Sequence, residues 1–144
     1  MNYKQLLKKV ISFIEFVDTE YGTRDPEKIA AMENIFRLVW KLPRCIQGFS
    51  FIHDGDKYIV INEKLSEKGR QFALLHELYH LLNSHTNEYN RLLFMTNAFV
   101  KTTKTEIEAD YFAFICMNYE DFENINPLTI EHEVAIFKRR YLKI

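Results

Sequence analysis

A predicted β-hairpin near the middle of the sequence limits the fold more than any other single feature. Residues 46–53 and 57–62 flank a turn at 54–56, where Gly55 can adopt the positive φ that a tight hairpin turn requires. The second arm contains an uninterrupted apolar run at 58–61. A strand that is apolar throughout indicates that both of its faces are covered, so we expect other elements to pack against this hairpin.

Helices are predicted before and after the hairpin, because apolar residues recur there at steps of three and four. Asp25 suits a helix N-cap, Pro26 suits the first helical position, and Ser66 suits a second N-cap. Residues 85–103 show no sustained period and predict a loop with room for a short helix. The predicted helices cover about residues 3–20, a short stretch from 26, 67–84, 105–117 and 128–142, and residues 36–40 suit a further strand.

Length, charge and cysteine content restrict the organisation of the chain and its partners. With 144 residues the chain is long enough for one core, so we expect a single domain over residues 1–144. The 19 basic and 20 acidic residues give a net charge of −1, which argues against direct, sequence-independent binding to nucleic acid. No apolar run approaches the roughly 18–20 residues of a membrane span. The two cysteines, Cys45 and Cys116, lie far apart, and a cytoplasmic protein with reduced thiols is expected.

Residues 76–80 carry the pattern H-E-x-x-H inside the helix that Ser66 opens. Because a helix has 3.6 residues per turn, His76 and His80 lie one turn apart on one face, where two imidazoles can bind one Zn²⁺. Glu77 lies about 100° round the helix, close enough to reach a metal-bound water rather than the metal. Zinc lowers the pKa of such a water to about 7, and a carboxylate can then act as general base. The alternative is a helix whose two histidines and glutamate are ordinary surface residues.

A zinc site of this kind needs a third protein ligand, and the acidic stretch at 106–110 offers candidates. Glu106 and Asp110 are four residues apart on one helix face, where like charges repel unless a positive group lies nearby. We therefore predict that Glu106 binds the zinc ion and that Asp110 accepts the outer N–H of one histidine. Glu108 is the alternative metal ligand. It also fits the last position of a capping box that begins at Thr105, so Glu106 is preferred.

The chain resembles the ImmA/IrrE metallopeptidases over roughly residues 25–117. The likeness rests on H-E-x-x-H at 76–80, on Glu-x-Glu-Ala-Asp-x-Phe-Ala at 106–113, on Asp-Pro at 25–26, on the hairpin end at 59–62 and on residues 70–75.

This resemblance implies a zincin-like α+β fold, in which a small antiparallel sheet packs beside the active-site helix together with further helices. It also implies the gluzincin arrangement. In this arrangement His76, His80 and Glu106 bind zinc, and Glu77 is the general base.

The resemblance also implies a biological role. Members of the family occur in phages and mobile elements beside a helix-turn-helix repressor, which they cleave as anti-repressors, and others are stress-response regulators or toxin-like partners. We therefore expect a zinc metallopeptidase whose substrate is a helix-turn-helix repressor protein. Family members usually have Gly at the fourth motif position, where this chain has Tyr79. A ring that narrowed the cleft would favour the alternative, a non-proteolytic regulator that binds the repressor, or a toxin of a toxin–antitoxin pair.

Overall fold

The computed structural model describes residues 2–84 and 103–143, and these form five α-helices and three β-strands. The predicted loop at 85–103 therefore lies outside the described residues, apart from its last position. Within the described part of the chain, none of the helices combines the length and the apolar character needed to cross a membrane. The elements, in chain order, are α1 (Tyr3–Tyr21), α2 (Pro26–Met32), β1 (Phe36–Trp40), β2 (Gly48–His53), β3 (Asp56–Asn62), α3 (Glu67–Leu82), α4 (Thr103–Asn118), a single 3-10 turn (Phe122–Asn124) and α5 (Ile130–Tyr141).

The helix ends follow from cap residues that can be recognised in the sequence. The carboxylate of Asp25 accepts a hydrogen bond from the backbone N–H of Glu27 at 3.0 Å, and the hydroxyl of Ser66 accepts one from Gly69 at 3.2 Å. Gly22 ends α1 with a φ of 66°, a left-handed conformation that glycine adopts without steric cost. These contacts confirm the predicted starts of α2 and α3 and the predicted end of α1.

The three strands form one sheet in the order β1-β3-β2. The β2–β3 hairpin turns at Asp54 and Gly55, whose φ values of 50° and 81° are those of a tight turn with both central residues left-handed. The α+β class and the small sheet beside α3 are confirmed. The expectation of an antiparallel sheet is correct only for the hairpin, because β1 pairs with β3 in parallel.

The link between β1 and β2 explains this parallel pair. Trp40, at the end of β1, lies opposite Asn62, and Gly48, at the start of β2, lies opposite Ile61. Both ends of the link at 41–47 therefore sit at the same end of β3, and the chain crosses that end instead of folding back beside β1. The side-chain amide of Asn62 donates hydrogen bonds to three carbonyls of the link, at Leu42, Pro43 and Ile46. The buried Asn62 side chain thus holds the crossing in place.

Helix α3 is the central element, since it contacts β2 and β3 as well as α2, α4 and α5. Apolar residues occur on all sides of this helix, and such a helix is stable only when its neighbours cover it. Phe72, Leu75 and Leu78 are almost completely buried, as is Tyr79. This burial carries the polar residues of the H-E-x-x-H pattern into the interior, and His80 is fully buried.

Candidate metal centre

The two histidines of α3 lie one turn apart and point to the same place. The distance between Nε2 of His76 and Nε2 of His80 is 3.3 Å. The His76 side chain is 14% exposed and the His80 side chain is 0% exposed, so one imidazole faces a cleft and the other closes the site from inside. The helical spacing that the sequence predicts is therefore realised in three dimensions.

Helix α4 brings Glu106 to this pair. Its Oε1 lies 2.8 Å from Nε2 of His80, and its Oε2 lies 3.2 Å from Nε2 of His76. The ligand atoms of the three residues all lie within 4.8 Å of one another, as a shared metal ion requires. Two nitrogens at the usual zinc distance and the tetrahedral angle are about 3.3 Å apart, so the residues present fit a zinc ion.

Glu108 lies away from this cluster. It is completely buried, and its Oε1 is 2.8 Å from Nζ of Lys9 on α1. Helix α4 begins at Thr103 rather than after Thr105, so the predicted capping box is wrong and Glu108 sits within the second turn of the helix. The structure thus gives Glu108 a cation on α1, while Glu106 faces the histidines.

Asp110 lies next to His76, where its predicted role requires it. The Nδ1–H of His76 donates to Oδ1 of Asp110 at 2.8 Å, which leaves Nε2 directed at Glu106 and His80. The second carboxylate oxygen of Asp110 accepts from Nζ of Lys138 on α5, also at 2.8 Å. Lys138 is not among the predicted site residues. It belongs to a basic run at the end of a helix, a position that the helix dipole alone explains.

Glu77 is held by the sheet. The hydroxyl of Ser50 on β2 donates to Oε1 of Glu77 at 2.9 Å, and Oε2 lies 3.7 Å from Nε2 of His76. Both Ser50 and Glu77 are 5% exposed. Ser50 is not among the predicted site residues. A serine between Phe49 and Phe51 is nevertheless a signal in the sequence, because side chains alternate along a strand and this one places a hydroxyl on the face that the helix covers.

Three ionisable groups of the site, His76, Glu106 and Asp110, have shifted pKa values. Burial alone would lower the pKa of His76, but hydrogen bonds to Asp110 and Glu106 and the nearby charge of Glu77 outweigh it and raise this pKa to about 10. Burial would raise the pKa of Glu106, but hydrogen bonds to His76 and His80 hold it well below its usual range. In Asp110 the contacts with His76 and Lys138 likewise outweigh burial and lower the pKa. Without a metal ion, the site therefore holds a proton on His76 between carboxylates.

Tyr79 packs into the core instead of lining the cleft. Its ring is fully buried and lies edge-on to Phe13, with ring centroids 5.3 Å apart, and beside Phe112 at 5.2 Å. Burial, together with the charge of Glu108, raises the pKa of its hydroxyl. The ring therefore fills the space between α1, α3 and α4 and does not narrow access to the histidines.

A cleft of about 510 Å³ opens onto the centre. Strand β2 forms one wall and α3 the other, and Glu77 and Glu106 reach the space between them. Apolar side chains of Ile46, Phe72 and Leu142 line the cleft beside these charged groups. The arrangement can hold a metal ion at the foot of an open cleft, with a carboxylate available next to it.

Comparison with known proteins supports a metal-dependent peptidase domain, as this geometry does. The model of a peptidase family described as the IrrE N-terminal-like domain matches residues 45–141. The "Uncharacterized immunity region protein 2" of Bacillus phage phi105 is 36% identical over 98 residues, which are 65% of this chain and 58% of that protein. The chain thus matches little more than half the length of this curated relative. No solved structure matches the chain.

An α+β domain in which a later helix brings a glutamate to the two histidines of H-E-x-x-H has the form of a metallopeptidase domain. The family match begins in the link before β2 and ends with α5, so it includes every element of the candidate centre. The chain belongs to the ImmA/IrrE peptidase family. The curated relative that it matches comes from a Bacillus phage.

Proposed function

We propose that this protein is a zinc-dependent peptidase of the gluzincin type that cleaves a helix-turn-helix repressor of a phage or mobile element, and so acts as an anti-repressor. The observation that supports it most strongly is the convergence of His76, His80 and Glu106 within 4.8 Å, beside a buried carboxylate and an open cleft. The family match supports a peptidase. The zinc ion, the chemistry and the partner are parts of the proposal.

Three residues would hold the zinc ion and a fourth would move the proton. The imidazoles of His76 and His80 and the carboxylate of Glu106 supply two nitrogens and one oxygen, the donor set of a catalytic zinc site with one open position. When bound, zinc would supply Lewis acidity that makes a water molecule nucleophilic at neutral pH. Glu77 accepts the proton of the attacking water and passes it to the leaving amine. Ser50 keeps one oxygen of Glu77 occupied, so that the other faces the cleft.

The repressor as substrate is supported by the phage relative and by the form of the cleft. The name of that relative refers to the immunity region of a phage. The cleft runs along β2, a strand at the edge of the sheet, and it is open enough to admit a segment of another protein.

The test mixes the purified, zinc-loaded protein with the product of any helix-turn-helix repressor gene found beside its own gene and measures cleavage of that repressor. The variant Glu77→Gln should bind zinc as the wild type does and should leave the repressor intact, because the amide cannot accept a proton. The matched control is Glu67→Gln, which removes an exposed carboxylate from the same helix and should keep full activity. Cleavage by the Glu77→Gln variant would contradict the proposed mechanism, and absence of zinc binding by the wild type would contradict the metal centre.

The alternatives are a regulator that binds the repressor without cutting it and a toxin paired with an antitoxin. A Tyr79 ring that blocked the cleft would favour them, but this ring packs in the core and leaves the cleft open. A stable stoichiometric complex with uncut repressor in the presence of zinc would favour the binding regulator. Growth arrest on expression without the neighbouring gene would favour the toxin.

A further inference from the structure

We infer that Lys138 is a positioning residue of the metal centre, which acts by holding the carboxylate of Asp110 in the orientation that aligns His76. The inference rests on the proposed function, since it assumes that His76 is a metal ligand. It assigns a role to α5, a helix that contributes none of the predicted ligands.

The contacts form a chain across three helices. Asp110 on α4 has one carboxylate oxygen 2.8 Å from Nδ1 of His76 on α3 and the other 2.8 Å from Nζ of Lys138 on α5. Rotation of the carboxylate about its bond to the chain would therefore break two charged contacts at once. The Asp110 and His76 side chains are 15% and 14% exposed, so solvent screens their contact weakly, whereas Lys138, at 43% exposed, reaches Asp110 from the solvent side. Asp110, which orients His76, is thus itself held in place by Lys138 on α5.

The packing of α5 against α3 and α4 fixes the backbone position of Lys138. The ring of Phe137, the preceding residue, has its centroid 5.3 Å from that of Phe72 on α3 and 5.6 Å from that of Phe114 on α4. At the end of α5 the backbone carbonyl of Tyr141 approaches Gly69 so closely that a side chain at Gly69 would meet it. These contacts hold α5 against both helices of the metal centre, and Lys138 lies between them at the rim of the cleft.

The charge of Lys138 has a specific consequence for His76. A buried carboxylate is costly unless a cation or hydrogen-bond donors compensate it. Lys138 supplies this compensation from α5, so Asp110 can stay ionised and can accept the Nδ1–H of a neutral, metal-binding imidazole. Partners of this kind orient metal-binding histidines, and their loss typically lowers metal affinity by about 10- to 100-fold.

The experiment compares Lys138→Gln with Arg139→Gln in the full-length chain. Each variant removes one positive charge from the last turn of α5, but Arg139 is solvent-exposed and Lys138 faces Asp110. Zinc affinity is measured by competition with a chelator, and the Nδ1–H of His76 is observed by ¹⁵N NMR in the zinc-loaded protein. We expect Lys138→Gln to lower zinc affinity by about tenfold and to speed exchange of this proton with water. Arg139→Gln should change neither, and Lys138→Arg, which retains the charge, should stay within about threefold of the wild type.

A double variant separates positioning from a general loss of charge or stability. In an Asp110→Asn background, Lys138→Gln should lower zinc affinity no further, because its effect passes through Asp110. Equal losses in both backgrounds would overturn the inference. Equal zinc affinities and equal proton exchange rates for Lys138→Gln and Arg139→Gln would also overturn the inference. In that case the proposed function would still stand if the wild type binds zinc. A wild type that binds no zinc would refute the proposed function together with this inference.

Discussion

Raising the pH should destabilise the folded, metal-free protein, because His76 loses a proton. Hydrogen bonds to Asp110 and Glu106 outweigh the effect of burial and raise its pKa from 6.5 to about 10. A group whose pKa is raised by folding stabilises the folded state fully below its unfolded pKa, and this stabilisation is lost as pH rises through the folded pKa. The free energy of unfolding should therefore fall between pH 6.5 and pH 10.

The size of the effect follows from the size of the shift. One pKa unit corresponds to about 1.4 kcal/mol, so a rise from pH 6.5 to about pH 9 should remove on the order of 3 kcal/mol. On the acid side the sign is opposite, because the pKa values of Glu106 and Asp110 are lowered and their stabilisation is lost as pH falls below their ordinary values of 4.5 and 3.8. Between pH 4.5 and pH 6.5 all three contributions are present, and the metal-free protein should be most stable there.

Urea unfolding with a chelator present, at a series of pH values, measures this dependence. The variant His76→Gln should be less stable at pH 6.5 but should not show the loss at higher pH, because it has no proton to release. The matched control His132→Gln, on the exposed side of α5, should keep the wild-type slope. Added zinc should remove most of the dependence of the unfolding free energy on pH, since a metal-binding imidazole is already deprotonated. An equal loss of stability in the wild type and in His76→Gln would refute the assignment to His76.

Three further predictions concern residues around the centre. Ser50→Ala should reduce repressor cleavage by roughly 10- to 100-fold with unchanged zinc affinity, because a hydrogen bond to a charged group such as Glu77 is worth about 1.5–3 kcal/mol; equal loss of zinc affinity would contradict this role. Gly69→Ala should destabilise the fold by about 1–3 kcal/mol in urea unfolding, since its Cβ would meet a backbone carbonyl of α5, and unchanged stability would show that α5 can shift freely. Lys9→Met should lower the free energy of unfolding by about 2 kcal/mol, because it leaves the buried Glu108 without its cation. Adding Glu108→Gln to this variant should restore most of the lost stability in the same urea assay. If stability is not restored, Lys9 acts through its packing instead.

Local sequence patterns predict most of the secondary structure. The caps at Asp25 and Ser66, the glycine that ends α1 and the Asp-Gly turn of the hairpin each depend on contacts within four residues of the chain. The helical repeat likewise determines that His76 and His80 share one face, and this spacing is the basis of the predicted metal pair. The direction of β1 could not be predicted in this way. It depends on the path of residues 41–47 across the end of β3, which the distant side chain of Asn62 stabilises.

The candidate centre shows the same division between local and long-range causes. The sequence by itself determined the two histidines, the carboxylate beside them and, on a later helix, a preference for Glu106 over Glu108. Tertiary packing brought Glu106 to the histidines and Glu108 to Lys9, because α4 packs against both α3 and α1. It alone brought Ser50 to Glu77 and Lys138 to Asp110, across separations of 27 and 28 residues. A helix has a period that sequence spacing reveals, whereas contacts between a strand, a helix and a distant helix end exist only when the core has placed them together.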